Sequence, residues 1–244
     1  MKILIYIPTY NASKTLGDVI SGISKDIKCE YVMIDNGSSD NSVEIAIKLG
    51  LRVIRHHHNR GYGGSQKTAF LYASGNNADI IVVLHSDNQY DPSLLGEILS
   101  PIVNDSADVV LGSRILGGNA LEGGMPYYKF ISNRFLTWLE NIVLGSNISE
   151  FHTGYRAYRT KVLEEIPFLF NSDNWLFDSE ILFQIVHKGA RIKEIPIPTS
   201  YHINASSVSL FDGIIYGIGV LKLIACYSLH CSGIWKLKQF SIDK

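Results

Sequence analysis

The run Val82-Val83-Leu84 leads directly into His85-Ser86-Asp87-Asn88-Gln89-Tyr90-Asp91-Pro92. An apolar, β-branched segment that ends in carboxylates and amides reads as a buried strand opening into a polar turn. Pro92 suits the first turn of a following helix. Asp87 and Gln89 at such a strand end supply hard oxygen ligands, the kind that bind Mg²⁺ or Mn²⁺ shared with phosphate groups. His85 is a poor ligand for Mg²⁺ and an acceptable one for Mn²⁺. Taken alone, the segment is equally consistent with an Asx-type turn that binds nothing.

A second polar turn, Asp35-Asn36-Gly37-Ser38-Ser39-Asp40, also separates a strand from a helix. Helix capping and turn formation account for Gly37, Ser39 and Asp40. Asp35 sits at the strand end itself, where a carboxylate can accept from a ribose hydroxyl or a base N–H. The glycine-rich stretch Asn59-Arg60-Gly61-Tyr62-Gly63-Gly64-Ser65-Gln66-Lys67 is not a P-loop, because Gln66 stands where the glycine before the lysine belongs. It also lacks the third glycine of a dinucleotide fingerprint. What remains is a helix N-terminus able to face an anion. His56-His57-His58 looks metal-binding, but consecutive residues of an extended segment point to opposite faces and cannot converge on one ion. Arg114 and Arg156 each follow small residues where a strand or turn opens, and a guanidinium fork suits phosphate. Asp178 and Glu180 open a helix, where carboxylates meet the positive end of its dipole or serve a substrate.

These residues need a scaffold, and the first half of the chain provides an alternation of elements. Strands are expected at Ile3–Ile7, Tyr31–Ile34, Arg52–Arg55, Ile80–Leu84 and Val109–Leu111. Helices are expected at Lys14–Ser24, Asn41–Leu49, Ser65–Ala73 and Pro92–Val103. Such alternation implies an α/β fold with a mostly parallel central sheet flanked by helices, and ligands bind beyond the carboxyl ends of its strands. The second half predicts an amphipathic helix near Lys129–Leu144, another at Phe177–His187 and a strand at Arg191–Ile195, with no long linker. One domain over residues 1–244 is therefore expected. With 46% hydrophobic residues and a net charge of −1, the chain has the composition of a globular protein and no character of a nucleic-acid binder. Cys29, Cys226 and Cys231 show neither metal-type spacing nor an even count, which suits a reducing, cytoplasmic setting. The N-terminal apolar run stops at Pro8, too soon for a signal peptide. Ile214–Leu229 is apolar but shorter than the roughly 20 residues of a membrane span, so it reads as a core helix or one lying on a membrane surface.

The combination resembles family 2 glycosyltransferases of the GT-A (Rossmann-like) fold, and within them polyprenyl-phosphate sugar synthases related to dolichol-phosphate mannose synthase. The resemblance is carried by Ile7-Pro8-Thr9-Tyr10-Asn11, Ile34-Asp35-Asn36-Gly37-Ser38-Ser39-Asp40, Asn59-Arg60-Gly61-Tyr62-Gly63-Gly64, Ser86-Asp87-Asn88-Gln89-Tyr90-Asp91-Pro92, Gly112-Ser113-Arg114, Thr153-Gly154-Tyr155-Arg156-Ala157-Tyr158 and Glu194-Ile195-Pro196-Ile197. It implies transfer of a sugar, with inversion, from a UDP- or GDP-linked donor to polyprenyl (dolichyl or undecaprenyl) phosphate. A saccharide hydroxyl is the alternative acceptor, and a nucleotide-sugar-binding protein without turnover the alternative class. By the same resemblance residues 1–115 form the nucleotide-sugar half and residues 116–244 the acceptor half with a C-terminal amphipathic helix. Pro8, Thr9, Tyr10, Asn11, Asp35, Gly37, Asn59, Gly61, Gly63, Ser86 and Asp87 would bind the donor. Asp87 and Gln89 would hold Mg²⁺ or Mn²⁺, with His85 standing where the family carries the first Asp of its metal-binding segment. Asp87, Arg114, Arg156, Asp178 and Glu180 would serve catalysis. A lipid phosphate acceptor needs no general base, whereas a hydroxyl requires one, and Asp178, Glu180 and Glu150 are the candidates. The implied setting is cytoplasmic, at the inner face of the cell membrane.

Overall fold

The β-branched runs do become strands, and their alternation fills two cores at once. In the computed structural model, which describes residues 1–199 and 210–242, the strands are β1 (Ile3–Thr9), β2 (Glu30–Asp35), β3 (Arg52–Arg55), β4 (Ile80–Val83), β5 (Val109–Ser113), β6 (Arg156–Arg159) and β7 (Ile192–Pro196). They form one sheet in the order β3-β2-β1-β4-β6-β5-β7. β6 runs antiparallel to β4 and β5, and every other pair is parallel. The helices are α1 (Leu16–Ser21), α2 (Ser42–Lys48), α3 (Gly61–Gly75), α4 (Leu95–Val103), α5 (Tyr127–Leu144), α6 (Thr160–Glu164), α7 (Phe177–Lys188) and α8 (Leu210–Cys231). Successive side chains of a strand point to opposite faces. Leu4 and Tyr6 of β1 thus join the core with Phe70 of α3 and Phe177, Ile181 and Leu182 of α7. Ile5 and Ile7 join the other with Leu16 and Val19 of α1 and Ile98 and Ile102 of α4.

Three features differ from the sequence expectation. β6 is an additional strand. Its four residues, Arg-Ala-Tyr-Arg, carry too short a pattern to announce themselves, and they pair only with segments far away in the chain. Helix α3 begins at Gly61, four residues before the expected Ser65. The glycines let its first turn lie against the backbone of residues 172–174. A Cβ on Gly63 would sit 2.2 Å from the Ser172 carbonyl oxygen, and one on Gly61 2.2 Å from that of Asp173. The C-terminal apolar segment is also longer than read. Phe211–Cys231 is a 21-residue helical stretch, long and apolar enough by length and composition to cross a membrane. Its inner side nevertheless packs on the domain, where Val220, Leu223 and Tyr227 are buried and the last two cluster with Phe183 and Phe240.

Helix α5 has the reverse of ordinary amphipathicity. Asn133, Thr137 and Glu140 face inward with Leu136, whereas Tyr128, Ile131, Phe135, Trp138 and Ile142 form an exposed apolar stripe. Helix α8 adds Phe211, Ile214, Ile215 and Ile218, all exposed. The helix expected near Lys129–Leu144 is present, but its apolar side faces away from the core.

The close approach at Gly63 gives a first prediction. Gly63→Ala must separate α3 from residues 172–177, and overpacking of this kind costs about 1–3 kcal/mol. Urea unfolding should show a lowered midpoint with an unchanged slope.

Candidate active site

Strand register brings the chemistry-bearing residues to one edge. Thr9 is paired with Asp35, and Asp35 with Arg55, at the carboxyl ends of β1, β2 and β3. Asp35 is fully buried. Its Oδ1 accepts the Ser38 N–H at 3.1 Å, and its Oδ2 lies 3.2 Å from Nε of Arg55. The loops after β1 and β2 are stitched together around it. Asn11, in the left-handed region with φ 53°, donates its N–H to Ser38 Oγ at 2.9 Å and accepts the Ser39 N–H at 2.8 Å. Ser13 N–H donates to Asp40 at 3.0 Å. Partial burial alone would raise the Asp40 carboxyl. Hydrogen bonds from Ser42 and Ser13 outweigh it and bring the pKa down to about 2.

Asn36 ties in the neighbouring segment. Its Nδ2 donates to Asn59 Oδ1 at 2.8 Å, and its Oδ1 meets the His56 ring at 2.9 Å and accepts the Arg60 N–H at 2.9 Å. His56 also reaches Thr68 Oγ1 at 2.9 Å. The three histidines do not converge: His56 is a buried brace and His57 and His58 are exposed. Asn59 and Gly61 belong to this scaffold, Gly63 packs against Ser172, and Tyr10 stands exposed at the rim.

After β4, Ser86 Oγ donates to the Pro8 carbonyl at 2.8 Å, which locks the turn onto β1. Asn88 adopts φ 59°, and the Gln89 N–H donates to Asp87 Oδ1 at 3.2 Å. A carboxylate and a carboxamide therefore share one tight turn, a donor set suited to a hard divalent cation with open positions. No group of three or more His, Cys, Asp or Glu side chains able to hold a metal occurs among the described residues. His85 is turned inward. Its Nε2 lies 3.3 Å from the Tyr62 hydroxyl, and burial holds the imidazole below its usual pKa, against the pull of Asp87 and Asp178.

Beside this turn opens a cavity of about 490 Å³ between α5 and α8. One end carries His85, Gln89, Arg114, Lys129, His152 and Asp178. The remainder is apolar, with Met125, Tyr128, Phe135, Leu136, Ile214, Ile218 and Leu221. Arg114 is held from three sides: its backbone N–H donates to Glu150 Oε2 at 2.7 Å, Nε to Oε1 at 3.0 Å, and Nη2 to the His152 carbonyl at 2.8 Å. Burial alone would raise the Glu150 carboxyl. The Arg114 charge and hydrogen bonds from Arg114 and Asn133 keep it below the usual range. Burial lowers the Lys129 ammonium, and Arg114 adds to that effect.

The remaining candidates divide. Asp178 lines the cavity; burial raises its carboxyl, and Arg156, 3.6 Å away, opposes the rise. Arg156 itself is fully buried and donates to the carbonyls of Thr153, Phe151 and Asp178, so it shapes the turn leading into β6 from beneath. Glu180 accepts from the N–H and hydroxyl of Ser172 at 2.6 and 2.9 Å, fixing the segment against which α3 packs. Four residues escaped the sequence reading. Tyr62 stacks on Trp175 at 4.4 Å, and Glu140 and Tyr216 flank His152. Only Glu140 left a signal, because Asn133, Thr137 and Glu140 are spaced to share one helix face.

An open, mostly parallel sheet whose β1, β2 and β4 ends converge on an acidic turn has the GT-A architecture of nucleotide-sugar-dependent transferases. The chain matches Glycosyl transferase family 2 over residues 4–167 and belongs to that family; it is a family 2 glycosyltransferase. A dolichyl-phosphate hexose transferase of Haloferax volcanii is 31% identical to it, with 84% of this chain and 86% of that protein aligned. A UDP-N-acetylglucosamine–dolichyl-phosphate N-acetylglucosaminyltransferase of Methanococcus voltae is 27% identical over 82% of this chain and 86% of its own length. In fold, the chain is similar to glucosyl-3-phosphoglycerate synthase of Mycobacterium tuberculosis, solved with Mn²⁺, UDP and glucosyl-3-phosphoglycerate. The TM-score is 0.70 at 18% identity, covering 95% of this chain and 80% of that one.

Two predictions follow from the charges. Removing one partner of a buried ion pair strands the other, so Glu150→Ala should lower unfolding stability by about 3–5 kcal/mol in denaturant titration. Asp40, with its folded pKa of about 2 below the ordinary 3.8, contributes stability that is fully present above pH 4 and lost as pH falls through 2. Asp40→Asn should therefore flatten the acid limb of a stability-against-pH curve between those values.

Proposed function

We propose that this enzyme moves a sugar from a nucleoside diphosphate to a polyprenyl phosphate, with inversion, aided by Mg²⁺ or Mn²⁺, at the cytoplasmic face of a membrane. The observation that carries the reading is the two-ended cavity. Its polar end adjoins the Asp87–Gln89 turn, and its apolar remainder runs between two helices whose outer faces are themselves apolar. A phosphate headgroup on a long hydrocarbon chain matches both ends, whereas a sugar acceptor leaves the apolar walls without a counterpart. The names of the relatives from Haloferax and Methanococcus support the same acceptor class. The exposed aromatic and aliphatic stripes of α5 and α8 suit burial at the headgroup boundary of a bilayer. Arg134 on α5 and Lys222 on α8 are suited to meet anionic lipid headgroups.

The chemistry divides among the chain's own residues. Thr9, Tyr10, Asn11 and Asp35 hold the nucleoside. Asp87 and Gln89 hold the cation, which when bound supplies charge to the departing diphosphate. Arg114 and Lys129 draw the acceptor phosphate to the polar end and orient one of its oxygens toward the anomeric carbon, on the face opposite the diphosphate. The C–O bond to the diphosphate breaks as the new one forms. That phosphate oxygen is already anionic, so no proton has to be taken. Asp178 shields and orients in this scheme. Its raised carboxyl favours one rival reading, in which it serves as base toward a saccharide hydroxyl.

Purified enzyme incubated with UDP- and GDP-sugars separates the two. Transfer should appear in the organic phase with undecaprenyl or dolichyl phosphate. Asp178→Asn should keep most of that turnover, while chelation or Asp87→Ala weakens donor binding by about tenfold or more in calorimetry. Product formed only on free saccharides, and abolished by Asp178→Asn, would establish the rival.

A further inference from the structure

One imidazole outside the transfer chemistry joins three helices at the cavity. Glu140 of α5 is fully buried, with a carboxylate oxygen 3.2 Å from Nε2 of His152. Nδ1 of His152 lies 2.7 Å from the Tyr216 hydroxyl of α8, and that hydroxyl lies 2.9 Å from Ser179 Oγ of α7. The His152 and Tyr216 rings meet edge to face, with centroids 5.4 Å apart. The backbone carbonyl of the same His152 accepts from Nη2 of Arg114.

We infer that His152 is a positioning residue that fastens α8 over the acceptor end of the cavity and holds Arg114 in register with it. The inference rests on the proposed acceptor reading for its functional consequence, but not for its geometry. Burying a carboxylate without full hydrogen bonding is costly, and a hydrophobic side chain would pack the interior of α5 more simply. What the polar chain supplies instead is direction. Among the described side chains of α8, the buried ones are Val220, Leu223 and Tyr227, on the C-terminal side of Tyr216. Apolar contacts of this kind permit sliding and rotation, whereas a hydroxyl bonded to two side chains fixes both. Tyr216 lies within Gly213–Leu221, the part of α8 that lines the cavity. Its anchorage therefore sets the distance between the apolar wall and the guanidinium of Arg114. A lipid phosphate must satisfy both simultaneously, so loosening the anchor weakens acceptor binding while leaving the nucleotide edge intact.

The test compares the full-length wild type with Tyr216→Phe, which removes one hydroxyl, with His152→Ala, and with His152→Gln as the variant that keeps a hydrogen-bonding side chain. Amide hydrogen exchange across Leu210–Cys231 should quicken in Tyr216→Phe and His152→Ala. In both, KM for undecaprenyl phosphate should rise by about tenfold, with donor affinity unchanged in calorimetry and kcat altered by no more than about twofold. His152→Gln should recover part of the loss. Unchanged exchange in α8 would overturn the anchorage. Faster exchange with an unchanged acceptor KM would reduce the chain to a structural bond and overturn the positioning role. If the wild type itself transfers to no lipid phosphate, the proposed function fails, and the exchange measurement still decides whether His152 fastens α8.

Discussion

The grip of Glu150 on Arg114 is the interaction on which the polar end of the cavity depends. One buried carboxylate accepts from both the backbone and the side chain of Arg114 and from Asn133 of α5. It therefore ties the end of β5 to α5 and to the turn that leads into β6. A carboxylate placed there without its arginine would carry an uncompensated buried charge. With both present, a cation sits at the polar end of an otherwise apolar space, in one orientation, next to the turn that carries Asp87 and Gln89.

The same logic explains helix α5. A helix that buries Asn133, Thr137 and Glu140 and exposes Tyr128, Ile131, Phe135, Trp138 and Ile142 is poorly built for a water-facing surface. Its inner polar side carries Glu140, which faces His152, and Asn133, which donates to Glu150, the carboxylate that holds Arg114. Its outer apolar side continues that of α8. Both helices thus present exposed apolar side chains outwardly, and the cavity lies between them. The helices and the site are one device, because the residues that fix the arginine also fix the helices.

Much of the sheet edge formed by β1, β2 and β4 was legible in the sequence because its signals are local. Strand β1 ends at Thr9, β2 at Asp35 and β4 two residues before His85, so each candidate side chain is announced by the apolar run preceding it. The rest was less legible because its determinants are contacts between distant segments. Nothing near Gly61 and Gly63 reveals that Ser172 and Asp173 press on them. Nothing near Arg156 reveals that three carbonyls enclose it, and β6 has partners only across the sheet. The inward polar stripe of α5 was present in the spacing of Asn133, Thr137 and Glu140. Its meaning depended on knowing which side of the helix the domain occupies. Strand and helix periods fix which residues share a face, but tertiary packing decides which face is inside.

The central claim is that the space between α5 and α8 receives a lipid phosphate with its headgroup at Arg114. A polyprenyl phosphate bearing a photoreactive group on its first isoprene unit, cross-linked to the enzyme and mapped by mass spectrometry, tests this most directly. The account predicts labels on the cavity wall, at Tyr128, Leu136, Gly217 or Ile218, that are lost when unmodified undecaprenyl phosphate competes. Labels confined to other surfaces, or unaffected by competition, would contradict it.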